Sequence, residues 1–208
     1  MASPREFGSI RHLVGRFVGS LLPVGPPRGD ELWARKHLLP GERTLWQRMS
    51  GADRRHAVAV ARRTLTDLDQ ATGDLPVARE VVAAALLHDV GKIEAALGTW
   101  ARAGVTVAAM AVGREHLIGW SGTTDCRSAG PEVPATDRRR RRGRSTDRPV
   151  WRQRIGLYLG HDRVGAELLS GVGSDPFTIA WAGEHHRPPE RWSVDARLGE
   201  ALKVADDD

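Results

Sequence analysis

His88 and Asp89 stand side by side in the run Leu86-Leu87-His88-Asp89-Val90-Gly91-Lys92-Ile93, an imidazole and a carboxylate at the end of a strongly apolar stretch. His56, His161, His185, His186 and Asp206 interrupt other apolar segments in the same way. Burying several imidazoles with two carboxylates is costly unless a cation organises them. Mixed nitrogen and oxygen donors suit a divalent transition metal (Mn, Fe, Ni, Co or Zn) better than calcium. The chemistry to expect is a water activated toward hydroxide at neutral pH. His12, His37 and His116 have no carboxylate or second histidine in a useful register and are set aside.

Adjacent helical residues point about 100° apart, so His88 and Asp89 share a target only where their helix ends. Gly91 is expected to permit that through unusual backbone dihedrals. Lys92, one turn beyond His88, brings an ammonium to the same mouth. Arg187 and Arg191, just past the paired histidines, offer a substrate-side anion clamp.

The elements that must position these groups read as helices. One spans about residues 52–71 and carries His56, Val60, Leu65 and Leu68 on its inner side. Gly73 to Pro76 make a turn, and Val77 to His88 form a helix apolar on almost every face. Another helix runs from about His161 to Ser170. Asp175-Pro176 cap a helix that reaches His186, and Pro188-Pro189 end it. A last helix from about Asp195 places Leu198, Leu202 and Asp206 on one face, with Asp206 in a turn prone to fraying. Trp151, Trp181 and Trp192 are read as core or helix-packing residues.

With no strand alternation and no internal repeat, the expected fold is all-α. Residues 1–50 read as an N-terminal basic, helical extension with a Pro/Gly linker at Pro23 to Gly29. Residues 51–208 read as one domain, interrupted by a flexible Arg-rich insertion at about 121–150 that has almost no large apolar residues.

The bulk numbers bound the function. At 208 residues, 40% hydrophobic and 27% charged, the chain suits an ordinary soluble domain. Its net charge of +5 is local, because Arg138 to Arg142 and Arg144 carry it. No aromatics interleave with that run, so a solvated insertion is favoured over a nucleic-acid contact. The one cysteine, Cys126, excludes an intramolecular disulfide and suits a reducing cytoplasm. Neither a signal peptide nor a membrane span is evident. Phe7 to Leu22 form a weakly amphipathic basic segment, read as a surface helix that can also touch a membrane peripherally. The oligomeric state is left open.

The blocks around these ligands resemble the HD superfamily of metal-dependent phosphohydrolases over roughly Arg54 to Asp208. That signature, His…His-Asp…Asp, falls on His56, His88, Asp89 and Asp206. The stretches His88-Asp89-Val90-Gly91-Lys92, His161 to Leu169 and His185-His186 are similar to the HDIG and HD-GYP branch. The resemblance implies an HD-domain helical bundle and one or two ions. His161, His185 and His186 would serve a second ion, with Asp89 bridging. It also implies phosphoester hydrolysis of a nucleotide, cyclic nucleotide or other phosphomonoester, with Asp89 catalytic and Lys92 binding phosphate. Arg187-Pro188-Pro189-Glu190-Arg191-Trp192 stands where HD-GYP proteins have a Gly-Tyr-Pro loop. Three other readings stay open: a non-catalytic HD module that binds metal and nucleotide, an arginine-driven nucleic-acid binder, and di-iron oxygenase chemistry on the same fold.

Overall fold

The computed structural model describes residues 24–72, 77–95, 97, 105, 112–121 and 150–207. The expected helix over Phe7 to Leu22, the Gly73 to Pro76 turn, Cys126 and nearly all of the Arg-rich insertion lie outside those residues. The described residues are helical with no strand among them: α1 (Arg28–Lys36), α2 (Pro40–Arg48), α3 (Gly51–Thr72), α4 (Arg79–Leu87), α5 (Lys92–Ala95), α6 (Arg114–Ser121), α7 (Val150–Leu159), α8 (His161–Gly171), α9 (Pro176–Glu184) and α10 (Ala196–Asp207), with a 3₁₀ turn at Pro189–Arg191. The all-α expectation holds.

Local chemistry sets the helix ends. Ser50 accepts the Asp53 amide at 3.1 Å and donates to its carboxylate at 2.6 Å, which starts α3. Asp175 accepts the Phe177 amide at 2.8 Å, and Pro176 occupies the first turn of α9. Asp195 does the same for α10 through the Leu198 amide at 3.1 Å. Gly173, at φ 68°, turns the chain out of α8 in the left-handed region, and the Ser174 amide reaches back to the Leu169 carbonyl.

The chain divides into two compact units. One comprises Met1–Ile93 with His161–Asp208 and holds every candidate ligand; the other is Glu94–Gly160. In the first, α4 is the centre, buried from Val81 to Leu87. Against it pack α3 and α9, while α8 packs on α9 and α10 on α3. Trp46, Trp181, Leu86, Leu87, Leu169 and Leu202 are fully buried in one core, each leucine contributing about 1.5–3 kcal/mol. Ala34, Leu38, Leu45, Trp46 and Met49 belong to that core as well, so the helices between residues 28 and 48 are built into the same unit as the ligands. Fully buried Glu42 ties three segments together: it accepts from the Leu39 amide at 2.7 Å, Ser174 Oγ at 2.6 Å and Arg79 at 3.2 Å. Leaving that carboxylate unpartnered would cost several kcal/mol. In the second unit α6 and α7 pack together. Trp151 there is exposed and tilts against Trp120 at 5.5 Å, rather than entering a core.

Candidate metal centre

The apolar run of α4 stops at Leu87, and the chain continues through tight turns. The amides of Val90, Lys92 and Ile93 donate three residues back to Leu87, Asp89 and Val90, at 3.0, 3.0 and 3.2 Å. His88 and Asp89 therefore both project from a turn. Gly91 is not at positive φ, contrary to the expectation of unusual dihedrals; among the described residues Gly113 and Gly173 are the glycines at positive φ. Its bareness serves a close crossing instead. A Cβ on Gly91 would lie 1.9 Å from the His161 carbonyl oxygen and 2.6 Å from the Gly165 amide nitrogen. Gly165 faces it with similar economy: a Cβ there would lie 3.3 Å from the Gly91 nitrogen. The crossing sets the start of α8 against the His88–Asp89 turn.

Two clusters result, each with ligand atoms within 4.8 Å of one another. The mixed cluster joins His56 of α3, His88 and Asp206 of α10. His56 Nε2 is 3.0 Å from Asp206 Oδ1, and His88 Nε2 is 3.5 Å from the same oxygen. An all-nitrogen cluster joins His161, at the start of α8, with His185 and His186 after α9. There His161 Nε2 and His186 Nε2 are 3.2 Å apart, and the rings of His185 and His186 lie 4.0 Å centre to centre. Asp89 touches both clusters, through Oδ1 to His161 Nε2 at 3.0 Å and through Oδ2 to His88 Nε2 at 3.4 Å.

His88 and His185 are oriented alike. Each donates Nδ1–H to the carbonyl three residues back, Ala85 at 2.9 Å and Ala182 at 3.1 Å. In both, Nε2 is buried and accepts no hydrogen bond among the described residues. Fixing Nδ1 as donor directs Nε2 inward, the position from which a neutral imidazole can ligate a metal.

Their electrostatics diverge. Burial alone would lower His88, but the Asp89 and Asp206 carboxylates outweigh it and raise its pKa to about 9. His185, buried beside His186 and His88 and farther from compensating charge, is held well below the usual imidazole range. Burial works to raise both carboxylates. Lys92, His88 and His161 nevertheless hold Asp89 far down, and His88 and His56 do so for Asp206.

The donor set is compatible with a bound metal ion. With metal–ligand bonds near 2.0–2.1 Å, two ligands on one ion lie roughly 3.0–3.4 Å apart in octahedral or tetrahedral geometry. The 3.0, 3.2 and 3.4 Å separations across these clusters fall in that range, and the 3.5 Å one lies just above it. These histidine and aspartate groups could hold a metal ion.

All seven expected ligands, His56, His88, Asp89, His161, His185, His186 and Asp206, are therefore in one place. Lys92 pairs with the Asp89 carboxylate, so its ammonium is at the site. Arg187 and Arg191 are not drawn in: both are exposed, and the Arg187 guanidinium lies 3.7 Å from Glu184.

Other residues hold the site without announcing themselves in the sequence. Arg63, two helical turns beyond His56 on α3, donates from Nε (2.9 Å) and NH2 (2.6 Å) to the Ala205 carbonyl, next to Asp206. Trp192 donates its indole N–H to the carbonyls of Glu184 and Arg187, at 3.2 and 2.9 Å, and packs on Trp181 and Gly199. Glu184 accepts the Ser193 amide at 2.6 Å, closing the loop that carries His185 and His186. The i, i+7 spacing of His56 and Arg63 is a usable signal for the first; nothing periodic marks the others.

No known family, curated protein or solved structure significantly matches the chain.

Proposed function

We propose that this protein is a dinuclear metal-dependent phosphohydrolase of the HD type, acting on a nucleotide, cyclic nucleotide or other phosphomonoester. The observation that carries the reading is the position of Asp89, with one carboxylate oxygen on each cluster. In this reading His56, His88 and Asp206 hold one ion of the Mn, Fe, Ni, Co or Zn kind. His161, His185 and His186 hold a second, and Asp89 is shared. Such ions, when bound, lower the pKa of a water toward neutrality and polarise a phosphoryl oxygen. Nδ1 bonds to Ala85 and Ala182 keep the His88 and His185 rings in the ligating tautomer. Lys92 balances the buried Asp89 charge and, when Asp89 turns to a cation, presents its ammonium to the substrate phosphate. Arg187 and Arg191 would meet a larger anionic substrate at the rim.

The test is metal content by elemental mass spectrometry on protein purified without chelator or affinity nickel, beside His88→Ala/Asp89→Ala, followed by a phosphate-ester panel. Two equivalents, lost in the double variant, with turnover of at least one ester, are expected. No uptake by folded protein, or no turnover with any metal, overturns the reading. The pairing of Lys92 with Asp89 favours one rival, a non-catalytic module, since an ammonium engaged there is withheld from phosphate. Tight nucleotide binding without turnover would identify that module.

A further inference from the structure

Arg63 does for Asp206 what no residue of the ligand set can do. Asp206 follows Ala205 on α10 (Ala196–Asp207). The Ala205 carbonyl oxygen accepts two bonds from the planar fork of Arg63, at 2.9 and 2.6 Å. The neighbouring side chain, Asp206 Oδ1, meets His56 at 3.0 Å. Both partners come from α3, seven residues apart, so one helix grips two consecutive residues of α10: one through backbone, one through side chain. Ala205 is fully buried, which keeps water from replacing the guanidinium on its carbonyl.

We infer that Arg63 is a positioning residue of the metal centre: its fork on Ala205 O fixes the register of α10 on α3 and thereby aims the Asp206 carboxylate at His56 and His88. The inference rests on the metal-centre reading and adds to it a residue that touches no ion. A lysine has a single donor head on a flexible stem and would hold the carbonyl less rigidly. Outer-shell groups of this kind are typically worth about 10–100-fold in metal affinity.

The experiment compares the full chain with Arg63→Met, Arg63→Lys, Asp206→Ala and His186→Ala. Stepwise zinc or cobalt(II) affinities are taken by competition with a chromophoric chelator. Amide hydrogen exchange of residues 202–207 is followed in metal-free protein. Arg63→Met is expected to weaken one equivalent about 10–100-fold, the same equivalent that Asp206→Ala removes and His186→Ala spares. It should also speed exchange at 202–207 while leaving α4 and α8 protected, with Arg63→Lys between it and the wild type. Wild-type affinities at both steps in Arg63→Met overturn the inference and leave the dinuclear reading standing. Wild-type protein that takes up no metal overturns that reading instead. The exchange data then decide the anchor alone, and unchanged protection of 202–207 overturns it.

Discussion

The two ligand clusters are built from the same imidazole chemistry and behave in opposite ways. In the mixed cluster His88 faces two carboxylates and retains its proton to about pH 9. In the nitrogen cluster His185 faces other imidazoles in a buried setting and gives its proton up early. Both rings hydrogen-bond the same kind of carbonyl in the same way, so ring orientation does not cause the difference. Neighbouring charge does. A cation entering the mixed cluster must displace a proton, whereas one entering the nitrogen cluster meets a lone pair already bare. Asp89 couples the two, because what it gives to one side it takes from the other.

The largest effect should come from breaking that coupling. On the dinuclear hydrolase reading, Asp89→Asn is expected to cost both metal equivalents and all hydrolysis. It should also destabilise the metal-free chain by about 3–5 kcal/mol, since Lys92 and His88 lose their buried counter-charge. Urea unfolding with a chelator present, beside elemental analysis, checks both parts. Retention of one full equivalent would mean that the clusters are independent.

Acidity offers the next test. His88 sits above its unfolded value of 6.5, so its contribution is complete below pH 6.5 and is lost as pH rises toward 9. His185 sits below 6.5, so its contribution is complete above pH 6.5 and is lost as pH falls. Metal-free stability should therefore peak near pH 6.5, with an alkaline limb on the order of 3 kcal/mol. Denaturant midpoints across pH in His88→Gln and His185→Gln should flatten the alkaline and the acid limb respectively. A wild-type profile level from pH 6.5 to 9 would contradict the assignment of His88.

A smaller perturbation acts on geometry rather than charge. Gly91→Ala pushes a Cβ into the His161 carbonyl and should cost about 1–3 kcal/mol while parting His161 from Asp89. The equivalent held by the nitrogen cluster should weaken before the other. Gly165→Ala, with contacts of 3.3–3.4 Å, should be milder on both counts. Calorimetric metal titration of the pair checks the ranking. Equal loss at both steps would show that the crossing does not serve one cluster selectively.

The smallest effect belongs to the rim. Arg187→Ala should alter stability by no more than about 0.5 kcal/mol, since the side chain is exposed and its pair with Glu184 is loose. If Arg187 meets substrate, KM rises severalfold with kcat unchanged; an unaltered KM removes it from the anion clamp.

Much of this was legible in the residues. Polar breaks in apolar helices at His56, His88 and Asp206 mark inward faces because burying them is costly, and period and capping place α3, α9 and α10 within a few residues. Asp175-Pro176 is legible because a cap and a proline are local signals. The role of Gly91 was not: a glycine at the end of a helix reads as a turn, and only the arrival of His161 against it reveals a crossing. Arg63 was marked only by its seven-residue spacing from His56, its partner being a backbone carbonyl 142 residues away. Trp151 reads as core by size and is exposed, because aromatic content alone does not say which face a helix buries.

The Gly91–His161 contact also governs how the chain is threaded. Because these two residues touch, the polypeptide departs from the ligand-bearing unit and re-enters it at a single doorway, and everything between is a detour. Closing a detour costs little more as it lengthens, about 0.6 kcal/mol for each doubling. Closure entropy therefore adds little cost when the chain between these rims is lengthened, while both rims of the doorway stay anchored beside the shared carboxylate.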